Sequence, residues 1–131
     1  GYISHLITGI PGSSAFYNGG IVSYSNTFKE ALLNVSPETL LNHGAVSRET
    51  VLEMLQGILA QPGIDVGIAI SGIAGPDGGT PEKPVGTIWI AYGDAKSQHA
   101  RKILFTKSRL LNIEYAAYYS LNLLRKFLLG L

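Results

Sequence analysis

The chain has 131 residues, 46% of them hydrophobic and 15% charged, with a formal net charge of +1 and no cysteine. That length buries a real core, so residues 1–131 are expected to form one domain, and the balance excludes disorder, disulfides and cysteine-based zinc sites. So small a net charge recruits neither nucleic acid nor an acidic membrane, and no apolar run approaches the roughly 20 residues that span a bilayer. His5, His43 and His99 lie far apart with no i, i+4 pair, which makes a weak case for a metal, and no cofactor is expected. The start, GYISHLITGIPG, lacks the basic region of a signal peptide, which makes the cytoplasm the expected compartment.

Tyr2, Ile3, Leu6, Ile7 and Ile10 recur at helical spacing, and Gly9, Pro11 and Gly12 stop the helix. No Ser, Thr or Asp stands ahead of Tyr2 to cap it, so this helix is expected to begin before Gly1, with residues upstream. Ser13–Tyr17 reads as a turn or short helical piece. Gly19–Tyr24 reads as a strand, with β-branched Ile21 and Val22 after two glycines that permit a close crossing. Ser25 or Asn26 then caps a helix with Phe28, Ala31 and Leu32 on its apolar side. Lys29 lies in its first turn, where the helix dipole repels a cation and disfavours the charged form. A lysine so placed can act as a base. A solvated surface lysine is the plainer alternative.

Ser36-Pro37-Glu38 opens the next helix, which Gly44 closes, and Ser47-Arg48-Glu49 opens another. Val51, Leu52, Leu55, Ile58 and Leu59 give that helix its stripe, and Pro62-Gly63 ends it. Val66–Ile70 has the composition of a buried strand, as does Thr87–Tyr92. Between them, Ser71–Gly86 (SGIAGPDGGTPEKPVG) holds five glycines and three prolines. Such a loop is shaped rather than slack, and its backbone N–H groups can approach an anion. It matches neither the phosphate-binding G-x-x-x-x-G-K-[ST] spacing nor the dinucleotide fingerprint. An elaborate hairpin connection is the alternative reading. His99–Phe105 completes a hairpin with the strand before it. Ser108–Leu128 is the longest helix, lined by Leu111, Ala116, Leu121, Leu124 and Leu128, with Tyr115, Tyr118 and Tyr119 packing at its border. The order implies an α/β fold, a three-layer α/β/α sandwich with a mixed sheet. Tyr24-Ser25, Ser71 and Arg109 then fall at strand ends, where ligands gather in such sheets. An arginine opening a helix can fork onto a phosphate, although a surface arginine is the commoner case.

The combination of SYSN-x-x-K, HGAVS (His43–Ser47) and SGIAGP-x-GG-x-x-x-KPVG resembles the CinA C-terminal domain family, in colinear order from Gly1 to about Leu128. The resemblance implies a metal-free serine amidohydrolase that converts nicotinamide mononucleotide to nicotinic acid mononucleotide and ammonia. It implies Lys29 as the base, Tyr24 as an active-site hydroxyl that relays a proton or orients the amide, and Ser71 at a position the family fills with Thr or Ser. It further implies ligand or oxyanion contacts from Gly72, Ile73, Ala74 and Gly75, and phosphate binding by Arg109. Lys107-Ser108-Arg109 departs from the Gly-Asp-Arg common in the family, which keeps the arginine and alters its loop. The family's nucleophilic serine lies in an E-S-C-T-G-G segment of which only the last glycine can be Gly1. None of Ser4, Ser13, Ser14, Ser23 or Ser25 matches it, so the serine is expected just upstream. The alternative function is a non-catalytic nucleotide-binding module of a two-domain competence-associated protein, with a purely structural domain ranked last. A homodimer is expected, with the apolar end FLLGL of the last helix as one candidate interface.

Overall fold

A computed structural model describes residues 1–131. The first helix, α1 (Tyr2–Thr8), starts on Gly1 with no side-chain cap. Serines cap the other four helices. Ser25 Oγ accepts from Phe28 N–H to open α2 (Asn26–Leu33), and Ser36 Oγ accepts from Glu38 N–H to open α3 (Pro37–His43). Ser47 and Ser108 do the same for α4 (Arg48–Leu59) and α5 (Arg109–Leu128). Each hydroxyl satisfies one of the N–H groups that a helix start leaves free.

The strands β1 (Val66–Gly72), β2 (Thr87–Asp94) and β3 (Gln98–Leu104) form one sheet in that order, antiparallel throughout. The expected mixed sheet is therefore corrected. Gly19–Tyr24, read as a strand, belongs to no strand or helix, and none of its backbone N–H groups donates a backbone hydrogen bond. Asn18 Nδ2 donates to Gly63 O just ahead of β1, while Tyr24 lies near Gly75 just beyond it. The segment thus spans the length of β1 without pairing to it. Strand propensity at Ile21 and Val22 does not make a strand by itself, because a ladder needs a partner that propensity does not provide.

Side-chain alternation divides the sheet between two cores. On one face Ala69 and Ala91 pack with Val51, Met54 and Leu55 of α4, joined by Leu33, Val35 and Leu40. On the other Ile88, Ile90 and Tyr92 pack against Ala116, Leu123 and Phe127 of α5. Helices on both faces make the three-layer α/β/α arrangement. The buried side of α5 is Asn112, Ala116, Ala117 and Ser120. The expected stripe was partly misplaced, for Leu111 and Leu128 are exposed. Small residues at the buried positions let α5 lie close to the sheet, which pushes its larger leucines outward. α2 is inverted as well: Phe28 and Leu32 are exposed, while Lys29 and Leu33 are buried. No helix is long and apolar enough to cross a membrane.

α2 and α4 meet at Gly57, where an added Cβ would overlap the Leu33 carbonyl. Gly57→Ala is expected to destabilise the chain by about 1–3 kcal/mol, the usual cost of overpacking, as read from urea unfolding. Gly12→Ala, where a Cβ meets nothing within 4 Å but φ is +85°, is expected to cost about 1 kcal/mol.

Candidate active site

The Ser71–Gly86 loop is held from several sides. Ile73 N–H donates to Thr87 O (2.9 Å), Gly86 N–H to Ile73 O (2.6 Å) and Thr80 N–H to Lys83 O (2.9 Å). Gly86 has φ +90° and abuts the Phe105 backbone, leaving no room for a side chain. At the loop's far end Lys83 Nζ donates to His43 O (2.5 Å), at the C-terminus of α3 where a cation is favoured. The next carbonyl, Gly44 O, accepts from Ser47 Oγ (3.0 Å) and Thr50 Oγ1 (2.7 Å). The HGAVS stretch is therefore the loop's anchor.

α5 holds the near end. Arg109 Nη1 donates to Gly75 O (2.9 Å), and its Nη2 donates to Tyr24 Oη (3.2 Å). Asn112, fully buried, donates from Nδ2 to Ala74 O (3.0 Å) and Lys107 O (3.1 Å), and accepts from Lys107 N–H (3.0 Å). With both carbonyls turned to α5, the N–H groups of Ala74 and Gly75 are left with no partner in the chain. Of the four loop residues named from the sequence, Ile73 has spent its N–H on Thr87.

Lys29 is 6% exposed, and its Nζ donates to Ser23 O (2.9 Å) and Tyr24 O (3.4 Å). Two neutral carbonyls and no carboxylate receive it, so desolvation dominates and lowers its pKa below the ordinary lysine value of 10.5. The surface alternative for this lysine is thereby corrected. Tyr24, 82% exposed, stands between Lys29 and Arg109, bonded to one through its carbonyl and to the other through its hydroxyl. Ser71 sits at the end of β1, half-buried, opposite Trp89 and on the sheet face that carries α4; its hydroxyl has no hydrogen bond. The fold thus brings Lys29, Tyr24, Gly75 and Arg109 into one bonded chain, with Ser71 and Gly72 at the adjoining strand end. The sequence reading missed Asn112. Its signal was an amide one helical turn beyond Arg109, on a face that packs, where a buried amide has to be satisfied. No group of three or more His, Cys, Asp or Glu side chains is placed to hold a metal.

The model of the CinA C-terminal domain matches residues 1–128. The chain belongs to that family. A CinA-like protein of Amoebophilus asiaticus is 53% identical over 99% of this chain and 31% of its own length. The chain spans about a third of the first curated relatives it matches. Nicotinamide-nucleotide amidohydrolase PncC of Enterobacter agglomerans is 42% identical over 98% of this chain and 79% of that protein. The crystal structure of competence damage-inducible protein A from Klebsiella pneumoniae superposes with a TM-score of 0.93 at 36% identity, covering 98% of this chain and 80% of the other. The crystal structure of competence/damage inducible protein CihA from Agrobacterium tumefaciens gives 0.94 at 35% identity, covering 97% and 78%.

Two outcomes follow from this geometry. In the folded chain Lys29 loses its proton at a lower pH than in the unfolded chain, so between those two values the unfolded state binds more protons and stability rises with pH. Urea titrations across the alkaline range below pH 10.5 are expected to show that rise, and Lys29→Met to abolish it. Asn112→Leu leaves the carbonyls of Ala74 and Lys107 without their donor. It is expected to destabilise the chain by about 1–3 kcal/mol and to speed amide exchange in residues 72–86.

Proposed function

We propose that this chain carries the base and the substrate-binding groups of an amidohydrolase that converts nicotinamide mononucleotide to nicotinic acid mononucleotide and ammonia. One observation carries the reading: a buried lysine amine, free of any carboxylate, adjoins a tyrosine that is bonded to an arginine beside a Gly-rich loop. The names of the amidohydrolase relatives support it. Arg109 takes the nucleotide phosphate through its guanidinium fork, with the N-terminus of α5 beneath it. The carboxamide then faces Lys29 and Tyr24.

Neutral Lys29 accepts the proton of a serine hydroxyl as that oxygen bonds to the carboxamide carbon. The loop N–H groups of Ala74 and Gly75 stabilise the oxyanion, being fixed in place before charge develops. Lys29 returns the proton to the departing nitrogen, and ammonia leaves an acyl ester. Water then adds, Lys29 takes its proton, and collapse restores the hydroxyl and releases the acid. Tyr24 orients the amide or relays the proton, and Ser71 offers a hydroxyl from the end of β1. In the family's E-S-C-T-G-G segment the serine stands four positions before the glycine matched by Gly1, and Gly1 lies beside Val22, next to the two carbonyls that hold Lys29. The reading therefore takes residues 1–131 as one CinA C-terminal domain.

A second reading keeps the nucleotide site without the hydrolysis. It is favoured by one observation, that no serine hydroxyl within the chain is bonded to Lys29. Ammonia release from nicotinamide mononucleotide by the native protein separates the two. Lys29→Ala is expected to cut turnover by about a hundredfold or more, as loss of a general base does. Arg109→Ala is expected to raise KM by about tenfold or more, with kcat changed less. Nucleotide binding with no ammonia release would leave only the second reading. A homodimer belongs to the same proposal, because α5 leaves Leu110, Tyr115 and Tyr118 exposed along one helix. Light scattering reads it as twice the mass of the protein chain in solution.

A further inference from the structure

We propose that the chain has a second ligand site, for a small aromatic anion, at the end of α5 remote from Arg109. A concavity of about 360 Å³ opens there between β2, β3 and the last turns of α5, lined by Tyr92, His99, Arg101, Leu123, Lys126 and Phe127 among others. Along α5 it lies about 25 Å from Arg109, at 1.5 Å per residue.

Three features of the fold meet at this concavity. Tyr92 is 7% exposed, and its hydroxyl, which bonds nothing in the chain, is the part of it that reaches the surface. A hydroxyl left open and unbonded at the end of a buried ring is free to donate to a ligand or accept from it. Arg101 stands opposite the fully buried Ile90, so it occupies the side of β3 that turns toward α5, where alternation calls for an apolar residue. Neither Arg101 nor Lys126 is paired with a carboxylate: the chain's one ion pair is His43 with Glu49. Arg101 makes only a long bond to the adjacent Ala100 carbonyl (3.5 Å).

These groups converge on one chemistry. A guanidinium, an ammonium and a phenolic hydroxyl together suit a carboxylate or phosphate, the planar fork of arginine fixing its orientation. The walls are aromatic and aliphatic. His99 stacks on Tyr92 with centroids 5.4 Å apart, and Phe127 meets Tyr92 and His99 edge-on at 6.3 and 5.7 Å. Beside them Leu123 extends the apolar lining. The volume is near the lower end of small-molecule pockets, roughly 300–1,000 Å³, which suits one ring with one anionic group and excludes a dinucleotide.

The test is an NMR titration of the chain with benzoate, phenyl phosphate and inorganic phosphate, following the ring signals of Tyr92, His99 and Phe127. Saturable shifts are expected with benzoate, phenyl phosphate or both, which assigns the preferred anionic group, and only weaker ones with inorganic phosphate. Arg101→Ala is expected to weaken binding by about tenfold or more, and the nearly isosteric Tyr92→Phe by several-fold with the fold intact. Arg109→Ala is expected to leave these shifts unchanged, which separates this site from the one proposed for the nucleotide. Absence of saturation with both aromatic anions, equal affinity for inorganic phosphate, or no effect of Arg101→Ala and Tyr92→Phe overturns the proposal.

Discussion

The site depends on what receives the Lys29 ammonium. Two backbone carbonyls do so, in a place that water scarcely reaches. Carbonyl dipoles hold the amine's position without the charge compensation that a carboxylate would bring, so its proton is held less firmly than in water. A carboxylate at the same spot would raise the pKa and spoil a base. The location of Lys29 on α2 explains the inverted helix: burying this amine turns Phe28 and Leu32 to the surface.

The second constraint is the fixing of the loop's carbonyls. Asn112 takes that of Ala74 and Arg109 that of Gly75, both from the first turns of α5. Lys83 secures the other end on α3. A loop held at both ends has already lost most of its conformational entropy on folding, so little remains to be lost when a ligand arrives. Arg109 belongs to both systems, since its guanidinium also bonds Tyr24 Oη. An anion bound at this fork would compete with that hydroxyl, which would couple the tyrosine's position to occupancy of the proposed phosphate site.

α5 links the two ends of the molecule. Its N-terminal turns hold the loop, its middle buries Ala116, Ala117 and Ser120 against the sheet, and its last turns present Lys126 and Phe127 to the remote concavity. Small residues in the middle permit close packing there, whereas polar and aromatic side chains at both ends leave room for ligands.

Short-range chemistry was legible in the sequence. The caps at Ser36 and Ser47, the opening of the last helix at Ser108, and the β1, β2 and β3 segments follow from neighbours a few residues apart. So does the loop's stiffness, written in its glycines and prolines. The motifs around Lys29 and Ser71 marked the family for the same reason. Only tertiary structure decided the rest. Ile21 and Val22 favour an extended backbone, but pairing requires a strand edge within hydrogen-bond reach, and the antiparallel sheet closes without them. Lys29 reads as a polar residue on a surface helix until carbonyls six and five residues back in the chain fold over it. Asn112 gains its meaning from a carbonyl 38 residues away, and Arg101 from a strand partner, Ile90, in the buried core. Pattern assigns each residue a local conformation; which groups it meets is set by packing of distant segments, and a linear sequence carries that only through the whole fold.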